Sequence, residues 1–214
     1  MRTAAVLPVK SFSRAKQRLG EAIGGREREE LAAAMVADVL EALAAVHEID
    51  EVVVVTAEPL AARAAEDAGA IVVDDPEEAG QSAAAARGVD TALVRGAGRV
   101  LLVPGDCPAI DPREVSELLG RRGGVVIVPD RHGSGTNALL LEPPQVMPPS
   151  FGPGSFARHA ALARAAGAEV KVAELPSLSL DVDTPADLAA LRAALDARPD
   201  TAARTRAVLH AATV

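Results

Sequence analysis

Residues 51–56 read Glu-Val-Val-Val-Val-Thr, and residues 124–128 read Gly-Val-Val-Ile-Val. Neither run alternates apolar with polar residues. A strand with one wet face has to alternate, so these runs belong to strands covered on both faces. Outward from them, short β-branched runs recur between longer Ala-rich segments studded with charge. Strand and helix taking turns in this way indicate a parallel sheet with crossover helices. Strands are expected at 4–9, 51–56, 70–73, 99–103, 124–128, 137–141, 169–175 and 178–182.

Between them the clearest helix is 27–46, where Leu31, Met35, Val39, Leu43 and Val46 recur at intervals of three and four and make one apolar stripe. Further helices are expected at 60–68, 82–94, 111–119, 155–166 and 185–195. The last opens on Thr184 as N-cap, Pro185 in the first turn and Asp187 as a first-turn charge. The fold class is therefore α/β, a three-layer sandwich around a mostly parallel sheet. One domain is expected over residues 1–198, with 199–214 a loosely attached helical tail.

Composition excludes several classes of function. The 214 residues include three Phe and no Trp or Tyr, so bases of a nucleic-acid strand have no aromatic platform to stack on. A formal charge of −8 argues against a broad face for DNA or anionic membrane, although a local cluster of Lys and Arg can still hold an anion. Cys107 is the single cysteine, which rules out an intramolecular disulfide and suits a reducing compartment. With no long apolar segment and no leader-like start, the protein is expected to be cytoplasmic. Its oligomeric state stays open, a homodimer included.

In open α/β sheets ligands bind beyond the carboxyl ends of the strands, which directs attention to residues 7–10 with Lys16 and Arg18, 103–106, 129–131 running to 135–137, and 181–185. After the first strand, Pro8-Val9-Lys10 leads into a loop with Ser11, Arg14, Lys16 and Arg18, cations suited to a polyphosphate. Neither G-x-G-x-x-G nor a Gly-Lys-Ser/Thr loop occurs, which disfavours dinucleotide-binding and P-loop enzymes. Asp106 and Asp183 each close an apolar run, and two carboxylates completed by phosphate oxygens and water suit magnesium; Asp181 is a secondary candidate. Phe151-Gly152-Pro153-Gly154-Ser155-Phe156 opens a helix whose N–H groups offer an anion site, with Thr136 and Asn137 as further donors. The alternatives are a solvated loop, a turn aspartate, a helix cap and an ordinary glycine loop. His47, His132, His159 and His210 have no metal-ligand spacing and are expected at the surface or at helix ends; Cys107 is expected to be a packing residue.

Together these segments resemble the phosphoenolpyruvate or 2-phospho-L-lactate guanylyltransferase family of coenzyme F420 biosynthesis. The resemblance spans about residues 3 to 195. It rests on Pro8-Val9-Lys10 with Ala15-Lys16 and Arg18-Leu19, on Pro104-Gly105-Asp106, on Pro129-Asp130-Arg131 with Gly135-Thr136-Asn137-Ala138-Leu139, on the Phe151–Phe156 segment with His159, and on Asp183-Thr184-Pro185 with Asp187-Leu188. It implies a nucleotidyltransferase fold related to glycosyltransferase type A domains, with GTP and a small phosphorylated carboxylic acid as substrates. It further implies Mg2+ on Asp106 and Asp183, and Thr136, Gly152 and Ser155 on phosphoenolpyruvate; charge balance between two anions adds Lys10 and Lys16, with Asp106, as catalytic groups. Pro8, Lys10, Lys16, Gly80 and Ser82 are then expected to meet the nucleotide. The family often shows Gly-Leu-Asn where this chain reads Gly80-Gln81-Ser82, a departure at the residues that read guanine. The expected reaction moves GMP from GTP to phosphoenolpyruvate, giving enolpyruvoyl-2-diphospho-5'-guanosine and pyrophosphate. Alternative acceptors are 2-phospho-L-lactate and 3-phosphoglycerate; alternatives to the activity are a sugar-nucleotide or molybdopterin dinucleotide transferase and a silent GTP-binding regulator.

Overall fold

The structure is a computed structural model that describes residues 1–14, 19 and 24–211. A seven-stranded sheet is formed by β1 (Thr3–Val9), β2 (Glu51–Thr56), β3 (Ile71–Asp74), β4 (Arg99–Leu102), β5 (Gly124–Pro129), β6 (Thr136–Glu142) and β7 (Val170–Val172). Its spatial order is β3-β2-β1-β4-β6-β5-β7. All pairings are parallel except those of β6, which runs antiparallel to both β4 and β5. The helices are α1 (Gly25–Ala44), α2 (Pro59–Asp67), α3 (Gln81–Val94), α4 (Pro112–Gly120), α5 (Ser155–Ala165), α6 (Pro185–Ala197) and α7 (Ala203–Ala211). Among them no described helix is long and apolar enough to cross a membrane.

The pure valine runs are explained by two cores, one on each face of the sheet. Along β1, Ala5, Leu7 and Val9 join Val36, Val39 and Leu43 of α1 in one cluster, while Ala4 and Val6 join Ala85 and Val89 of α3 in the other. The two-residue strand period sends alternate side chains to opposite layers, and both layers are apolar. Gly88 brings α3 onto the sheet so closely that an added Cβ would lie 2.3 Å from Val6 Cγ1. The stripe Leu31, Met35, Val39, Leu43 and Val46 is buried throughout, as the spacing requires.

One expected strand does not form. Residues 178–182 lie outside the sheet, leaving a turn at Leu178 and a bend at Ser179. Their alternation is real, with Leu178, Leu180 and Val182 all buried. Leu180 and Val182 pack against Leu31, Met35, Leu188 and Leu191 of α1 and α6 rather than extending the sheet. The segment is tied to two separate loops, by Arg131 N donating to Ser179 O at 2.9 Å and Val182 N to Asp106 O at 3.2 Å. The terminal helix α7 is anchored rather than loose. Leu209 is buried, and Thr205 N donates to Asp38 Oδ2 of α1 at 2.7 Å.

Candidate active site

From β1 the chain crosses outward to β2 and β3, then returns to β4 on the other flank of β1. Crevices open where strand order reverses in this way, beyond the carboxyl ends of the two strands. A cleft of about 660 Å3 lies there, lined from β1 by Pro8, Val9 and Lys10 and from beyond β4 by Pro104, Gly105 and Asp106. Because β6 is antiparallel, its first residues, Thr136 and Asn137, reach the same rim. The segment before α6 contributes Asp181 and Asp183, and the loop into α5 contributes Gly152, Gly154 and Ser155.

The expected residues Pro8, Lys10, Gly80, Asp106, Thr136, Gly152, Ser155 and Asp183 therefore share one cleft. Lys16 and Arg18, with Ala15, lie outside the described residues, as does the side chain of Arg14. Ser82 is placed differently. Its Oγ accepts the N–H of Phe151 at 2.8 Å, so it joins α3 to the loop before α5, while its neighbour Gln81 lines the cleft. Cys107 is packed, its thiol 3.6 Å from Leu178 O.

Charge in the cleft is lopsided. Among the described lining residues, Asp75, Glu78, Asp106, Asp130, Asp181 and Asp183 face one cation, Lys10. Burial pushes the Asp181 carboxyl above its ordinary pKa, and the neighbouring Asp106 and Asp183 add to that, against a 3.2 Å hydrogen bond from Asn137 Nδ2. Asp181 thus belongs with the other two aspartates. Asp75 and Glu78 escaped the sequence reading. Their signal was position, directly after β3 and within the acidic run Asp74–Glu78. Glu78 in fact accepts both Ser11 N, at 3.0 Å, and Ser11 Oγ, at 2.6 Å, while Glu58 accepts Phe12 N at 2.8 Å. These two carboxylates hold the start of the basic loop in place.

The opposite end of the cleft presents backbone donors. Gly152 and Gly154 take φ of +107° and +71°, which lets the loop turn into α5 without a side-chain penalty. Their N–H groups make no hydrogen bond among the described residues. Arg158 gathers the carbonyls on the far side, donating to Pro153 O at 2.7 Å, Ser150 O at 2.9 Å and Phe151 O at 3.1 Å. Contrary to expectation, His159 is fully buried here. Its Nε2 accepts Ser150 N–H at 2.8 Å and its Nδ1 lies 2.9 Å from Thr136 Oγ1. Burial, with the nearby Arg158 charge, lowers its pKa to about 4, so the ring is neutral at ordinary pH.

A polyanion-sized cleft at the switch point, acidic in the middle and donor-rich at one end, is matched by family likeness along the chain. Residues 3–194 fit the family described as guanylyl transferase CofC-like. The chain belongs to this family. Guanylyl transferases are nucleotidyltransferases, and the chain is an enzyme of that class. Among its CofC-like relatives, a phosphoenolpyruvate guanylyltransferase of Conexibacter woesei is 52% identical over 214 residues, 98% of this chain and 96% of the relative. One of the same name from Sphaerobacter thermophilus is 40% identical over 190 residues, 88% and 91% of the two chains. In fold, the CofC-like chain superimposes on a Desulfovibrio desulfuricans protein described as a nucleotide-diphospho-sugar transferase with a TM-score of 0.79 at 19% identity, covering 98% and 95%. The nucleotidyltransferase-type fold is thereby established.

The CofC-like cleft also fits a divalent cation. Its donors are hard carboxylate oxygens, and the mutual repulsion felt at Asp181 is what a bound cation relieves. Among the described residues no three His, Cys, Asp or Glu form a ready-made cage. A magnesium ion that keeps waters and takes the rest of its shell from phosphates needs none.

Proposed function

We propose that the protein transfers GMP from GTP to phosphoenolpyruvate, releasing pyrophosphate and giving enolpyruvoyl-2-diphospho-5'-guanosine, a step of coenzyme F420 biosynthesis. The observation that carries this reading is the meeting, in one cleft, of the Asp106–Asp181–Asp183 group with the donors Thr136, Gly152 and Ser155. The names of the 52% and 40% identical relatives support the choice of acceptor.

In this reading GTP lies between the β1 loop and the start of α3, with Pro8, Lys10 and Gly80 against it and Lys16 adding charge. Asp106 and Asp183 hold the magnesium, with Asp181 beside them; when bound, the ion neutralises phosphate charge and orients the oxygens around the α-phosphorus. Thr136, Gly152 and Ser155 hold the acceptor's anionic groups. An acceptor phosphate oxygen forms a bond to the α-phosphorus in line as the bond to the β-phosphate oxygen breaks, and that electron pair leaves on pyrophosphate. Lys10 and Lys16 balance the charge that develops there. A phosphate monoester, with a second pKa of about 6, is already largely dianionic at neutral pH, so the step needs no general base. His159, neutral with both ring nitrogens engaged inside the protein, is accordingly not one.

The deciding experiment measures pyrophosphate release from GTP and magnesium with phosphoenolpyruvate, 2-phospho-L-lactate, 3-phosphoglycerate or no acceptor, and identifies the product by mass. Release that requires phosphoenolpyruvate is expected. Preference for another acceptor overturns the substrate, and GTP binding without turnover on any acceptor overturns the reaction.

A further inference from the structure

Thr136 is one of the donors that the proposed function places on the acceptor, and a hydroxyl binds an anion only if its hydrogen faces that anion. The structure contains a device that decides where this hydrogen goes. The backbone N–H of Ser150 points at His159 Nε2 at 2.8 Å, and an N–H donates only to a nitrogen that carries no proton. The neutral ring then bears its hydrogen on Nδ1, which lies 2.9 Å from Thr136 Oγ1. The Thr136 oxygen is thereby the acceptor toward the protein, and its own hydrogen is left for the cleft that it lines. The opposite tautomer would set two N–H groups head to head at Ser150 and turn the Thr136 hydrogen into the ring. The cleft would then present lone pairs to an anion.

We propose that His159 is a positioning residue for the acceptor: by donating from Nδ1 it makes the Thr136 hydroxyl a hydrogen-bond donor into the cleft. The inference rests on the reading of Thr136 as an acceptor contact. The surroundings hold the ring in this state. Phe151 packs edge-on at 5.1 Å and 76°, and Arg158 grips the carbonyls of Ser150 and Phe151, fixing the segment whose N–H sets the tautomer. Thus β6, the loop before α5 and α5 itself are joined through one imidazole.

Two measurements test it. Nitrogen-15 histidine spectra of the full chain at neutral pH, with the exposed His47, His132 and His210 replaced by Gln, isolate the His159 ring without altering it. A protonated Nδ1 and a bare Nε2 are expected; a protonated Nε2 overturns the inference. The second is a double-mutant cycle on the KM for phosphoenolpyruvate. Thr136→Val is expected to raise that KM roughly 10- to 100-fold, as for a lost hydrogen bond to a charged group, with the KM for GTP unchanged. His159→Gln is expected to do the same, and the double variant to be little worse than either alone. Effects that multiply would make His159 a packing residue and overturn the inference by itself. An unchanged acceptor KM in Thr136→Val would overturn the acceptor-site reading beneath it. Should His159→Gln fail to fold, the tautomer measurement still decides.

Discussion

Arg131 and Asp187 meet at 2.5 Å, joining the β5–β6 hairpin to the first turn of α6. The second oxygen of the same carboxylate accepts Asp183 N at 3.1 Å, Thr184 N at 2.7 Å and Thr184 Oγ1 at 2.8 Å. Burial raises the Asp187 pKa, but these hydrogen bonds and the Arg131 charge outweigh it and hold the carboxyl below its ordinary value. Asp187→Ala removes the N3 half of the α6 capping box, whose N-cap is Thr184, and one partner of the exposed Arg131, at a cost of about 1–2 kcal/mol. It also releases the backbone that aims Asp183. Expected are a lower midpoint in urea and a turnover reduced at least tenfold in the protein that remains folded. Normal turnover would separate α6 from the site.

Asp106→Asn is expected to abolish guanylyl transfer with the fold intact, measured by pyrophosphate release and circular dichroism. Asp181→Asn is expected to go both ways at once. It removes a charge repelled by Asp106 and Asp183 and can still accept from Asn137, so the metal-free protein should melt higher, by roughly 2–4 °C per kcal/mol gained. Turnover should fall. An unchanged melting temperature would mean that the three carboxylates do not strain one another.

Ser82→Ala leaves the N–H of Phe151 without its 2.8 Å acceptor. Loss of one partner of a part-buried hydrogen bond costs about 1–3 kcal/mol. Because the disturbed loop carries Gly152 and Ser155, the KM for the acceptor is expected to rise more than that for GTP. The reverse pattern would restore Ser82 to the nucleotide.

Gly88→Ala drives a methyl to within 2.3 Å of Val6 Cγ1 and 3.0 Å of Val55 Cγ2. Overpacking of this kind costs about 1–3 kcal/mol. The expected outcome is a lower melting temperature with α3 displaced from the sheet; an unchanged one would show that α3 moves freely.

His159 gives stability a pH dependence of definite sign. Unfolded, the imidazole titrates near 6.5; folded, it does so near 4, so between these values the unfolded chain binds more protons. Its contribution is complete above about pH 6.5 and is lost as pH falls toward 4, by roughly 3 kcal/mol in all. Melting temperatures should fall from pH 7 to pH 5, and less steeply in His159→Gln. Parallel curves would remove the ring from the linkage.

The layered architecture was legible because two-sided burial leaves a composition that nothing else explains, as at Val52–Val55. The stretch 178–182 was misread for a physical reason. A period of two reports that alternate side chains are buried, not that backbone groups pair, and here helices α1 and α6 take the side chains. The strand-end rule found Lys10 and Asp106 and led on from Pro129-Asp130-Arg131 to Thr136; Thr136 begins a strand, and the antiparallel direction of β6 is what brings it to the rim. Asp75 and Glu78 were lost among acidic neighbours. His159 was misplaced because spacing reveals ligand motifs and not depth; its place one turn after Ser155, beside Ala160 and Ala163 on the buried face, was the available clue.

The central position of β6 has a consequence in time as well as in space. Paired on both flanks, its amides at Leu139 and Leu140 are expected to exchange only when the whole sheet opens, and those of β3 and β7 at the margins through smaller excursions. Thr136 begins the strand, paired with Pro129 of β5, and so lies at the margin of that doubly held stretch rather than inside it. In the proposed reading, the acceptor docks at the end of a strand whose middle is held on both sides.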